Sequence, residues 1–183
     1  MNFIIIHGIY GNPQENWFPW LKKELEDAGY EVIVPKFPTP INQSLESWLL
    51  VLSEHEDKIN EDTVMIGHSL GTPFILNYLE KTQKKIKAAY FVAGYHKLID
   101  NKFYELNKDF VYKEFNWEKI KSSCGIFFVF ASDNDEYIPL EIPKEMAEKL
   151  NASFNIVHDG GHLNSRAGFN TFPLLMESIL IDL

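Results

Sequence analysis

The 183 residues, 45% hydrophobic and 23% charged, are enough for one domain with a substantial core. The formal net charge of -9 repels phosphate backbones, and the basic residues are scattered, so a nucleic-acid partner is not expected. The single cysteine, Cys124, excludes an internal disulfide framework and a multi-cysteine metal site, and it suits a reducing compartment.

In chain order, the start "MNFIIIHG" has no basic region and only a short apolar run, unlike a signal peptide. No apolar run approaches membrane-spanning length, so a cytoplasmic protein with no membrane partner is expected. The residues 2–6 read as a first buried strand. "WFPWLKKELEDAG" (17–29) reads as an amphipathic helix ending on Gly29. A strand at 31–35 precedes a helix at 44–59, and a strand at 63–67 precedes a helix at 70–83. A strand at 87–93 leads into "GYHKLIDNKFYELNKDFVYKEFNWEKIKSSC" (94–124), too long for a simple crossover. That segment reads as a short helix or small cap, with its end forming the helix back to the sheet. Strands at 125–131 and 154–158, with helices at 139–150 and 169–183, complete the chain. Strands alternating with helices predict a three-layer α/β/α sandwich around a mainly parallel sheet of six strands, spanning 1–183 as one domain.

In such sheets ligands bind at the carboxyl ends of the strands, so residues just after strands are candidates for chemistry. Gly67-His68-Ser69-Leu70-Gly71 fits G-x-S-x-G between a strand and a helix, the setting of a nucleophile elbow. Side chains at 67 and 71 would strike neighbouring backbone in so tight a turn, and Ser69 would be held in strain with its hydroxyl exposed. A serine needs a base, and the base needs an orienting carboxylate. His162 in "DGGHLN" follows the last strand, and "SDNDEYIP" follows the one before it. Asp135 is the preferred acid, since Asp135-Glu136-Tyr137-Ile138-Pro139 reads D-x-x-aliphatic-P; Asp133 is the alternative and Glu136 a weaker one. The amide of Leu70, at a helix N-terminus, is one candidate oxyanion donor. The loop after the first strand supplies the second, at Ile9, with Tyr10 as fallback.

Other features have plainer readings. Ser69 alone could be a helix N-cap. His68 reads as structural or pocket-lining, and His7 equally as a loop histidine or a pocket wall. Trp17, Phe18, Trp20, Phe37 and Trp48 are core by default, but Trp17 and Tyr10 lie close enough to the oxyanion loop to wall a substrate pocket. His158 and His162 are four apart, yet Gly160-Gly161 argues against the helix that would aim both at a metal, so no metal is expected. Cys124 reads as a small buried hydrophobe, and "HGIYGN" lacks the lysine of a phosphate-binding loop.

Taken together, "HG" after the first strand, "NWFPWLKKEL", "FPTPINQSLESWL", "IGHSLG", "WEKIKSSC", "FASDNDEYIP" and "DGGH" resemble the α/β-hydrolase superfamily. Within it, the chain is similar to small serine hydrolases of the retinoblastoma-binding protein 9 and bacterial YdeN type. The resemblance covers nearly the whole chain. It implies a compact enzyme lacking the first two strands of larger relatives, with a minimal lid, a Ser69–Asp135–His162 triad and no cofactor. The expected activity is acyl transfer on a small carboxylic ester or amide; the competing reading is a binding protein of the same fold with a vestigial triad.

Overall fold

The computed structural model describes residues 1–100 and 102–182. Six strands form one sheet: β1 (Asn2–Ile6), β2 (Glu31–Ile33), β3 (Thr63–His68), β4 (Ile86–Val92), β5 (Cys124–Ser132) and β6 (Ser153–Val157). Their order is β2-β1-β3-β4-β5-β6 and every pairing is parallel, so the expected mainly parallel sheet is parallel throughout. Among the described residues seven helices cover it: α1 (Phe18–Asp27), α2 (Leu45–Ser53), α3 (Gly71–Lys81), α4 (Tyr104–Val111), α5 (Trp117–Ser122), α6 (Glu141–Leu150) and α7 (Pro173–Asp182).

The central strands are apolar on both faces because each face is covered by helices. Along β1, Ile4 and Ile6 join a core with Trp48, Phe74 and Met146, from α2, α3 and α6. The alternate residues Phe3 and Ile5 join a second core with Phe18, Leu21 and Leu175, from α1 and α7. This division follows from topology. The chain steps one way from β1 to β2 and the other way from β3 onward, and crossovers of one hand then place their helices on opposite faces. The reversal lies between β1 and β3, and the crevice at their carboxyl ends is where such a sheet binds ligands.

Element ends differ from the sequence reading where local chemistry intervenes. Strand β2 stops at Ile33 rather than continuing to Pro35, which has no N–H to give a ladder. Helix α2 starts with a reciprocal Ser44–Ser47 capping box and ends at Ser53 rather than 59. Between the buried Leu52 and Ile59 the inward turn would fall on His55 and Glu56, and a short 3-10 turn over Glu56–Lys58 takes its place. Helix α7 begins at Pro173 rather than 169, because proline suits the first helical position and disfavours helix in the residue before it. The 94–124 segment carries two helices, α4 and α5. Among the described residues no helix is long and apolar enough to cross a membrane.

Candidate active site

Four loops meet at the crevice. The first is the turn from β3 into α3. Ser69 adopts φ 53°, in the left-handed region that non-glycine residues rarely occupy. Its N–H donates to the Val92 carbonyl at 2.9 Å and its carbonyl accepts from the Thr72 N–H at 3.0 Å, which pins the strained residue between β4 and α3. The flanking glycines are required by contact. A Cβ on Gly67 would lie 2.7 Å from the Gly71 carbonyl carbon, and a Cβ on Gly71 would run into the Ile6 carbonyl.

The second loop follows β1 and lies against the first. A Cβ on Gly8 would come within 2.9 Å of the Ser69 Cβ. His7 is fully buried here. Its Nε2 accepts the Phe37 N–H at 3.0 Å, so the proton sits on Nδ1, which donates to the Gly8 carbonyl at 2.8 Å. Burial holds its pKa below the usual range for histidine. The Tyr10 N–H donates to Thr39 Oγ1 at 2.8 Å.

The third and fourth loops follow β5 and β6, and three consecutive side chains join them. Asp133 Oδ1 accepts the Asp159 N–H at 2.9 Å, Asn134 Oδ1 accepts the Gly161 N–H at 2.7 Å, and Asp135 Oδ2 accepts from His162 Nδ1 at 2.8 Å. The other Asp135 oxygen accepts the N–H groups of Tyr137 and Ile138 at 2.9 and 3.2 Å. The Asp135 side chain is only 2% exposed and that of His162 10%. His162 lies between two left-handed residues, Gly161 (φ 53°) and Leu163 (φ 48°), which turn the loop tightly around it.

The alternative acid has its own histidine. Asp133 Oδ2 pairs with His158 Nδ1 at 2.6 Å, and the His158 side chain is 81% exposed. The His158 hydrogen bond holds the Asp133 carboxyl below the usual carboxylate range. His158 and His162 therefore serve different aspartates, and among the described residues no cluster of three metal-ligating side chains occurs. Glu136, the weaker candidate, is exposed.

Ser69 and His162 line the same cavity, which has two arms. The wider, about 250 Å³, is walled by Ile9, Tyr10 and His68 together with the polar Glu15, Asn164 and Arg166. The narrower, about 40 Å³, has Tyr95, Ile99, Phe103, Asn107 and Ile138 around Ser69. Phe103 and Tyr137 border both arms, their ring centroids 5.9 Å apart. Arg166 Nη1 donates to the Tyr137 hydroxyl at 3.2 Å. Burial raises the pKa of Glu15.

Of the four pocket candidates, Tyr10 and His68 line the cavity, whereas His7 and Trp17 do not. Both are fully buried supports. Trp17 Nε1 donates to the Leu163 carbonyl at 3.0 Å, tying the start of α1 to the histidine loop. His68 Nε2 donates to the His162 carbonyl at 3.0 Å, and burial, reinforced by neighbouring His162, holds its pKa down at about 3. It is therefore a neutral prop beneath His162. Sequence reasoning missed Phe103, Asn107, Tyr137 and Arg166 as cavity walls. Phe103 and Asn107 belong to the segment already singled out for its length, and Tyr137 to the acid loop; nothing local marks Arg166.

The parallel sheet, the strained serine turn and the histidine loop after the last strand define an α/β-hydrolase. The serine hydrolase family model matches residues 3–180, and the chain belongs to that family. It is 33% identical over 175 residues to YdeN of Bacillus subtilis (strain 168), covering 94% of this chain and 91% of that protein. The crystal structure of the B. subtilis ydeN gene product superposes with a TM-score of 0.93 at 31% identity, covering 98% and 96% of the two chains. The serine hydrolase RBBP9 of Rattus norvegicus is 29% identical over 165 residues, 90% of this chain and 86% of that one. Est1E from Butyrivibrio proteoclasticus shares the fold at a TM-score of 0.71 and 15% identity, covering 97% and 88%. The chain is a hydrolase enzyme.

Proposed function

We propose that this serine hydrolase cleaves a small carboxylic ester or amide through an acyl-enzyme on Ser69. The observation that carries the reading is the buried Asp135–His162 pair, 2.8 Å apart, opening on the same cavity as a serine held at φ 53°. With Nδ1–H given to Asp135, the neutral His162 ring keeps its lone pair on Nε2, the atom that must take the serine proton.

Ser69 Oγ attacks the carbonyl carbon as His162 Nε2 accepts its proton. The resulting oxyanion is met by the Leu70 N–H, at the start of α3, and by the Ile9 N–H. The Tyr10 amide is committed to Thr39, so Ile9 is the donor assigned. Asp135 orients the ring and stabilises the imidazolium. The tetrahedral intermediate collapses, and the leaving alcohol or amine departs with the proton from His162. A water then attacks the acyl carbon, giving its proton to His162, and a second collapse returns Ser69 and frees the acid.

The narrow apolar arm suits a short acyl group and the wider polar arm a leaving group, so the proposed substrates are small molecules. A fluorophosphonate probe tests the reading. The native enzyme should form a covalent adduct on the tryptic peptide containing Ser69, and Ser69→Ala should form none. A native protein that gave no adduct would support the vestigial binding protein instead.

A further inference from the structure

We infer that Asn107, on α4, is a specificity-determining residue that reads a hydrogen-bond donor on a short acyl group; this rests on the acyl-transfer reading of Ser69. The narrow arm beside Ser69 is otherwise mostly apolar, walled by Tyr95, Ile99, Phe103 and Ile138. Asn107 also lines it, and its carboxamide oxygen is buried with no hydrogen-bond partner. Folded proteins rarely leave a buried acceptor unpaired, because the unmet desolvation is costly. Among the described residues, the other buried side-chain atoms without a partner belong to Asn2, Asn77, Tyr90 and His96, none of which lines either arm. Asn107 alone among these residues lines the arm beside Ser69.

An acceptor requires a donor. A hydroxyl on the acyl chain can donate to it, whereas an alkyl chain of the same shape leaves it unpaired. Sites with a polar group to satisfy discriminate strongly against the isostere lacking the partner. An arm of about 40 Å³ holds three or so water-sized groups, so the acyl part is about four carbons including the carbonyl. The substrate class is therefore a short hydroxyacyl ester or amide, with its leaving group in the wide arm.

The experiment compares kcat/KM for p-nitrophenyl butanoate, its 2-hydroxy and 3-hydroxy derivatives, and the matching methoxy derivatives. The wild-type enzyme should favour one hydroxyacyl ester over both the plain and the methoxy ester by about tenfold or more. In Asn107→Leu, close to the same volume, that ratio should fall to about one. Asn107→Ala repeats the comparison if the leucine variant does not fold. A flat ratio in an active wild-type enzyme would overturn the inference while leaving acyl transfer intact. So would methoxy esters performing as well as hydroxy esters, which means the arm reads an acceptor. A preference that survives at position 107 removes the role from Asn107. Failure of every ester together with no fluorophosphonate adduct would instead sink the acyl-transfer reading itself.

Discussion

Two aspartates, two residues apart, each hold a histidine, and their surroundings separate them. Asp135 is buried, donates nothing, and has both oxygens occupied by His162 and by the two N–H groups of its own turn. Asp133 holds His158 at the surface, remote in role from the Ser69 cavity that neither of them lines. Asp135→Asn keeps the shape but can no longer hold the His162 tautomer, so kcat on a p-nitrophenyl ester should drop by about 10⁴-fold. Asp133→Asn should stay within about threefold, since an exposed pair contributes little. A large loss in Asp133→Asn with little in Asp135→Asn would mean that the His158 pair, not the buried one, carries the base. The motif D-x-x-aliphatic-P pointed to Asp135 from sequence, but it could not show that Asp133 has a partner of its own.

At the scale of elements, the histidine loop is held by its neighbours more than by its own residues. The acid loop joins it at Asp133, Asn134 and Asp135, His68 supports the His162 carbonyl from β3, and Trp17 holds the Leu163 carbonyl from the start of α1. Trp17→Phe removes only the indole donor while keeping much of the ring packing. It leaves a buried carbonyl without its partner and should cost about 1–3 kcal/mol in urea unfolding. It should also lower kcat more than it raises KM, because the loop it loosens carries the proposed base rather than the cavity wall. A loss of stability with unchanged kcat would make Trp17 a packing residue and no more. This network was not legible beforehand: Trp17 and His68 are marked by type, but what they touch lies 146 and 94 residues away.

For the whole molecule, the buried histidines set the response to acid. Burial lowers the pKa of His7, of His68 to about 3, and of His96, all from an ordinary 6.5. Unfolding restores the ordinary value, so below pH 6.5 the unfolded chain binds more protons than the folded one. Their contribution to stability is complete above about pH 7 and is lost as pH falls from 6.5 toward the folded values. Between pH 7.5 and 5.5 His68 alone should account for a loss of about 1 kcal/mol, with His7 and His96 adding in the same direction, read from urea midpoints at the two pH values. A midpoint that does not move would show that the fold leaves these rings at their ordinary pKa.

The alternation of apolar strands with amphipathic helices was enough to determine a parallel α/β sheet, because burial on both faces imposes that pattern locally. The glycine spacing around Ser69 was equally readable, since the steric demand of a tight turn falls on residues 67 and 71 themselves. The order of Ser69, Asp135 and His162 could be read because each follows a strand. The tertiary structure alone decided which aspartate meets which histidine, that His7 and Trp17 support the site without walling it, and that Asn107 stands beside Ser69. Those facts are contacts between loops far apart in sequence, made by side chains whose local surroundings carry no trace of their partners.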